Sequence, residues 1–177
     1  MGHFTNKVAL ITVGSRGIGA GIARRLASEG GSVVITYKNN EPAAAAVVNE
    51  LERHGNQCQT LRVDAADAAA IKPAIEQVIE TYGRLDILVN NAGYMDTSGT
   101  TLEDIPVEIV EQTIGVNIQA AFLFSQHAPP LATLNKGGAL LTSVVAWPNV
   151  CQNPEIAIHK HAEKGNLKFP SLLASLN

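Results

Sequence analysis

The sequence predicts an α/β fold, a doubly wound parallel β-sheet with helices on both faces, and three features carry that expectation. Strand-like and helix-like segments alternate almost to the C-terminus. The first apolar run, KVALITV (7–13), is continuous rather than alternating and ends at glycine, as suits a strand buried on both faces. The helical segments between the strands are long enough for the right-handed crossovers that join parallel strands.

Taken in order, KVALITV is the first strand. Beyond the glycines, Ile18, Ile22 and Leu26 recur every four residues and mark a helix packed on it. SVVITY (32–37), short and β-branched, reads as the second strand. Ala44, Val47, Val48 and Leu51 form the apolar stripe of a second helix that ends near His54 and Gly55. QTLRV (59–63) is a third strand, and Ile71, Ile75, Val78, Ile79 and Tyr82 line a third helix closed by Gly83. LDILVN (85–90) is a fourth strand, followed by a loop rich in Gly, Thr and Ser. A long helix is expected over roughly 103–127, with Val110, Ile114, Ile118 and Phe122 at four-residue steps. GGALLTSVVAW (137–147) contains a fifth strand, and residues near 155–175 form a weaker helix interrupted at Gly165 and Pro170. With no internal repeat or linker, a single domain over residues 1–177 is expected.

Composition narrows the function classes. Apolar residues make up 46% of the chain and charged residues 16%, which predicts a globular rather than disordered protein. A net charge of -3 offers no general attraction to nucleic acid or to anionic membrane. Cys58 and Cys151 have no partners at metal-ligand spacing and cannot make a disulfide framework, so no metal is expected. No run approaches the ~18 apolar residues needed to span a bilayer. The N-terminus MGHFTNKVALIT has neither a secretory nor a myristoylation pattern. A cytoplasmic protein is the expectation.

The stretch TVGSRGIGAGIARRL joins the first strand to the first helix. Gly14, Gly17 and Gly19 let the backbone turn tightly and let a pyrophosphate approach the helix N-terminus, where free N–H groups and the helix dipole favour anions. Glycines at this spacing also serve plain tight turns.

ITVGSRGIG, VDAAD (63–67) and LVNNAG (88–93) follow one another at the ends of three expected strands. Together they closely resemble the short-chain dehydrogenase/reductase family, with its T-G-x-x-x-G-I-G loop, adenine-side Asp and N-N-A-G turn. The resemblance implies a Rossmann fold that binds NAD or NADP across the carboxyl ends of the strands. It puts Gly14, Ser15, Arg16, Gly17, Ile18 and Gly19 in the cofactor loop, Asp64 against the adenine, and Asn91, Ala92 and Gly93 along the adenosine ribose. Asn90 is expected to tie neighbouring strands together, and Asp64 also reads as a strand-end cap.

In such folds an acidic residue at the end of the second strand accepts hydrogen bonds from the ribose of NAD. Here VVITYKNN puts Tyr37 in that place with Lys38 beside it, and Arg16 adds a second cation. Two cations and no carboxylate suit a 2'-phosphate, so NADP(H) is the expected cofactor; Lys38 also reads as a solvated surface cation. Val13 stands where the family has its first glycine and crowds the adenosine side unless the turn shifts one residue to Gly14.

By resemblance, the family reduces carbonyls or oxidises alcohols with Asn, Ser, Tyr and Lys. The tyrosine exchanges a proton with the substrate oxygen, the lysine lowers its pKa, serine binds the same oxygen, and asparagine orients the lysine through water. The matching positions are Asn117, Ser143 and Lys160. Asn117, between Ile114 and Ala121, is expected on the apolar side of its helix, where an amide needs partners. Ser143 lies thirteen residues before Ile156 and Lys160 four beyond it, so the Y-x-x-x-K register closes with Ile156 in tyrosine's place. Isoleucine transfers no proton. His159 is the candidate substitute, although His159 and His161 also read as exposed helix residues.

The family's helices around Asn117 and Lys160 build a subunit interface, which implies a homodimer or higher homo-oligomer. On the resemblance, the chain also lacks the family's last strands and substrate-covering segment. Three readings stand: an NADP(H)-dependent oxidoreductase of altered activity on a small-molecule substrate; a non-redox enzyme using Ser143, Lys160 and His159; and a non-catalytic relative that binds nucleotide or a partner.

Overall fold

The computed structural model describes residues 2–128 and 139–142. Its strands are β1 (Val8–Ile11), β2 (Ser32–Tyr37), β3 (Cys58–Arg62), β4 (Ile87–Asn90) and β5 (Ala139–Thr142). They form one sheet in the order β3-β2-β1-β4-β5, and every pairing is parallel. β1 sits at the centre, with Leu10 opposite Val34 on one side and Leu88 on the other. The expected fold class, a Rossmann-type α/β sheet, is therefore observed.

The period-two alternation of β1, β2 and β4 divides their side chains between two cores. Ala9, Ile11, Val33, Ile35 and Val89 pack with α1 (Gly17–Ser28) and α2 (Glu41–Leu51). Val8, Leu10, Val34 and Leu88 pack on the opposite face with α3 (Ala68–Tyr82) and α5 (Ala120–His127). Burial on both faces explains why β1 reads as an unbroken apolar run. Local signals fix the helix ends. Asn40 accepts a hydrogen bond from the Ala43 N–H at the start of α2, Asp67 does the same for Ala69 at the start of α3, and Gly83 closes α3 at φ 73°.

Several expectations about the helices and the strand bounds need correction. Of the expected α1 stripe, Leu26 is buried and Ile22 packs partly buried against the core, but Ile18 is exposed; Gly19, Ala20, Ala23 and Ala27 complete the packed face, and these small residues let the helix lie close. The long helix starts at Val107, not near 103. Pro106 holds Ile105 extended, leaving Leu102–Asp104 as a separate 3-10 turn before α4 (Val107–Ile114). Finally, Val110, Ile114, Ile118 and Phe122 face outward, while Val116, Ala120 and Phe124 meet the sheet. Apolar residues lie on two sides of this helix, so their spacing could not choose the packed face. The strands β1 and β4 are shorter than expected, and β3 begins and ends one residue earlier.

Between α4 and α5 the helix widens into a π turn, Gly115–Gln119. No helix among the described residues is long and apolar enough to cross a membrane.

Candidate functional site

The chain runs outward from β1 through β2 to β3, then returns to place β4 on the other side of β1. Loops leaving the carboxyl ends of β1 and β4 therefore diverge, opening the crevice where parallel α/β sheets commonly bind ligands. The glycine loop and the NNAG turn flank this crevice.

The glycines of the loop have different tasks. A Cβ on Gly14 would lie 2.5 Å from Cγ2 of Ile35, so the close approach of the loop to β2 requires glycine there. A Cβ on Gly19 would lie 2.6 Å from Nδ2 of Asn91 and 2.7 Å from the Val13 carbonyl oxygen. Gly17 adopts φ +54°, and nothing lies within 4 Å of where its Cβ would be. The first turn of α1 begins there, has no side-chain cap and contains no acidic residue. Open space and unsatisfied N–H groups suit an anion.

Val13 does not shift the turn. It takes φ 54° itself, the left-handed region in which a β-branched residue is strained, and Gly14 does not relieve it. Hydrogen bonds hold it on both sides: its N–H donates to Thr36 Oγ1 at 3.0 Å, and its carbonyl accepts from Asn91 Nδ2 at 3.0 Å. Gly14 N–H donates to the Thr36 carbonyl at 3.1 Å.

The NNAG turn is bound to the same loop. Buried Thr12 accepts at Oγ1 from the N–H groups of Asn91 and Ala92, both at 2.8 Å. Asn91 donates its side-chain amide to the carbonyls of Thr12 and Val13. Its side chain thus fastens the two loops together, while Gly93 is exposed beside them. Asn90 ties β4 to α5, donating to the Ala121 carbonyl and to Ser125 Oγ. Thr12 and Thr36 were absent from the expected site; Thr12 opens the T-x-G stretch and was the more legible of the two.

Asn117 sits in the π turn and is half-buried. Its amide forms a two-pronged clamp on the Tyr94 backbone, accepting from the N–H at 2.7 Å and donating to the carbonyl at 2.8 Å. The expected need for partners was correct, but Ile114 points to solvent and does not define a buried side. Ser143, His159 and Lys160 lie outside the described residues, as does Ile156. Tyr82 is no substitute for the absent phenol. It lies at the far end of α3, and burial, with Cys58 and Glu52 nearby, pushes its phenol up to about 12.

At the ends of β2 and β3, Lys38 is not a solitary cation. Its Nζ meets Asp64 Oδ2 at 2.8 Å, both side chains being part-exposed. Asp64 Oδ1 also accepts from the Ala66 N–H at 3.0 Å. Partial burial pushes the Asp64 carboxyl up, but the Lys38 and Ala66 hydrogen bonds and the Lys38 charge outweigh it and hold it below the usual range. The expectation of two cations without a carboxylate is corrected here, because the fold brings Asp64 onto Lys38. Arg16, exposed at the N-cap of α1, makes no side-chain ion pair among the described residues.

Comparison with known proteins fits this arrangement. The family model for short chain dehydrogenase matches residues 7–148. The chain belongs to the short-chain dehydrogenase/reductase family. It is 37% identical over 141 residues to a 3-oxoacyl-[acyl-carrier-protein] reductase, FabG, of Staphylococcus aureus, covering 78% of this chain and 56% of that protein. The uncharacterized oxidoreductase YxbG of Bacillus subtilis is 33% identical over 143 residues, covering 81% of this chain and 52% of that protein. A short-chain dehydrogenase from Burkholderia cenocepacia, solved in complex with NADP, superposes with a TM-score of 0.73 at 41% identity, covering 78% of this chain and 55% of that one. A blue fluorescent protein from a metagenomic library, in complex with NADPH, gives 0.71 at 38% identity, with coverages of 78% and 55%. This dehydrogenase/reductase chain thus spans about half the length of the relatives it matches first.

Proposed function

We propose that this short-chain dehydrogenase/reductase binds NADP(H) in the crevice between β1 and β4 and takes part in reducing a carbonyl or oxidising an alcohol on a small molecule. One observation carries the reading. The first turn of α1 is uncapped, and Gly17 leaves it open, beside two loops locked together by Thr12 and Asn91. Gly14, Ser15, Arg16, Gly17, Ile18 and Gly19 would hold the pyrophosphate; Lys38 and Asp64 would flank the adenosine, with Asn91, Ala92 and Gly93 beside its ribose. When bound, the cofactor would supply or accept the hydride. Asn117 shapes the wall next to Tyr94, and Ser143 and Lys160 are proposed to bind the substrate oxygen and steer its proton. Titration of NADPH, followed by its fluorescence and by calorimetry, tests this; no binding at millimolar cofactor would sink it.

Ile156 favours a second reading for the chemistry. Without a phenol there, either His159 moves the proton or the pocket binds nucleotide without redox turnover. NADPH oxidation across a panel of carbonyls separates the two: turnover lost in His159→Gln supports the histidine, and no turnover with intact binding supports the silent pocket.

We also propose self-association through the outward stripe of α4 and α5. Val110, Ile114, Ile118 and Phe122 are each between 44% and 65% exposed, an apolar run that a second copy would cover. Sedimentation velocity should show a dimer that Ile118→Glu with Phe122→Glu converts to monomer; a monomeric parent chain would refute it. A cytoplasmic location accords with this reading.

A further inference from the structure

Resting on the proposed nucleotide site, we infer that the Lys38–Asp64 ion pair acts as a selectivity latch, which a 2'-phosphorylated adenosine must open and a nucleotide with a free 2'-hydroxyl can leave closed. Lys38 follows the last residue of β2, and Asp64 lies two residues past the end of β3, so the pair bridges two adjacent strand ends at the carboxyl edge of the sheet. Asp64 is anchored independently, through the Ala66 N–H, and holds its position when Lys38 leaves. Lys38 is likewise tethered near its backbone, where Arg62 Nε donates to its carbonyl at 3.3 Å. The ammonium, at the end of a flexible stem, is the element free to swing.

The consequence is a charge balance unlike that of two independent cations. While the latch is closed, Lys38 and Asp64 neutralise each other, and Arg16 remains the unpaired cation of the loop among the described residues. A dianionic phosphate recruiting Lys38 must displace a carboxylate that already holds it. The carboxylate then stands near the incoming charge, so phosphate affinity is reduced twice, by the broken pair and by repulsion. Nucleotides lacking the phosphate meet neither effect. Asp64 thereby narrows the preference that Lys38 and Arg16 would otherwise create.

The test compares 2',5'-ADP with 5'-ADP on the full chain by calorimetry, and the ratio of the two affinities is the readout. Any contact of residue 64 with the adenine affects both ligands and cancels. Asp64→Asn, which keeps an acceptor for the Ala66 N–H, should raise the preference for 2',5'-ADP by about two- to fivefold, the range of a part-exposed ion pair. Lys38→Met should lower that preference by roughly tenfold. The double variant should show a smaller gain over Lys38→Met than Asp64→Asn shows over the parent chain, because the broken-pair contribution vanishes with Lys38 and only the repulsion from Asp64 remains. An unchanged ratio in Asp64→Asn, with both ligands still bound, overturns the latch and leaves the nucleotide site standing. Failure of the parent chain to bind either ligand overturns the site and the latch with it.

Discussion

Val13 concentrates the tension between this chain's sequence and its fold. The backbone at that position is left-handed, at φ 54°, although the residue is β-branched. Hydrogen bonds to Thr36 in β2 and from Asn91 in the NNAG turn over-determine it, which is how strained residues persist. Val13→Gly removes a strain of about 1–2 kcal/mol but adds flexibility to the unfolded chain. The expected net gain is about 1 kcal/mol in urea unfolding, with tighter NADPH binding where the side chain is removed. Gly14→Ala should act in the other direction, costing about 1–3 kcal/mol, because its methyl group would meet Ile35. The glycine spacing made the loop legible in the sequence. It did not reveal that Val13 keeps the glycine's conformation, because a φ angle is imposed by the surroundings and not by residue type.

At the scale of elements, two polar clamps hold the loops. Asn117 binds both backbone groups of Tyr94 from within the π turn, so the helix and the segment after β4 move together. Asn117→Ala should cost about 1–2 kcal/mol and weaken NADPH binding, whereas Asn117→Asp, which keeps the acceptor and loses the donor, should fall between. At the amino end of the sheet, buried Asp86 accepts from the Val8 N–H at 2.9 Å and pairs with Arg84 and Lys7. Burial pushes its carboxyl up, but the Arg84 hydrogen bonds, the Val8 N–H and the two cations outweigh this and hold it below the ordinary value. A carboxyl lowered in the folded state stabilises above its unfolded pKa, about 3.9, and that contribution is lost as pH falls through the folded value. Melting temperatures should hold above about pH 5 and fall below about pH 4, and Asp86→Asn should flatten the acid limb. Periodicity made these helices legible, with Gly83 marking the end of α3. It misplaced Ile18 on α1 and could not choose the packed face of the α4–α5 helix. Close approach favours alanine over isoleucine in the first, and the second is apolar on two sides.

Across the whole molecule, chain order and strand order together create the site. The glycine loop, the VDAAD segment and the NNAG turn are distant in sequence, but the β3-β2-β1-β4-β5 order brings them to one edge of the sheet. Their residues were legible as a set because the sequence resembles a known family. The Lys38–Asp64 contact was not, since it depends on how two adjacent strands end in space. The central claim is that this edge is a nucleotide cradle. Crystals of the full chain soaked with NADPH test it most directly. The account predicts a pyrophosphate against the Gly17–Gly19 amides and the adenosine between Lys38 and Asp64. A nucleotide seated elsewhere, or none at saturating concentration, would contradict it.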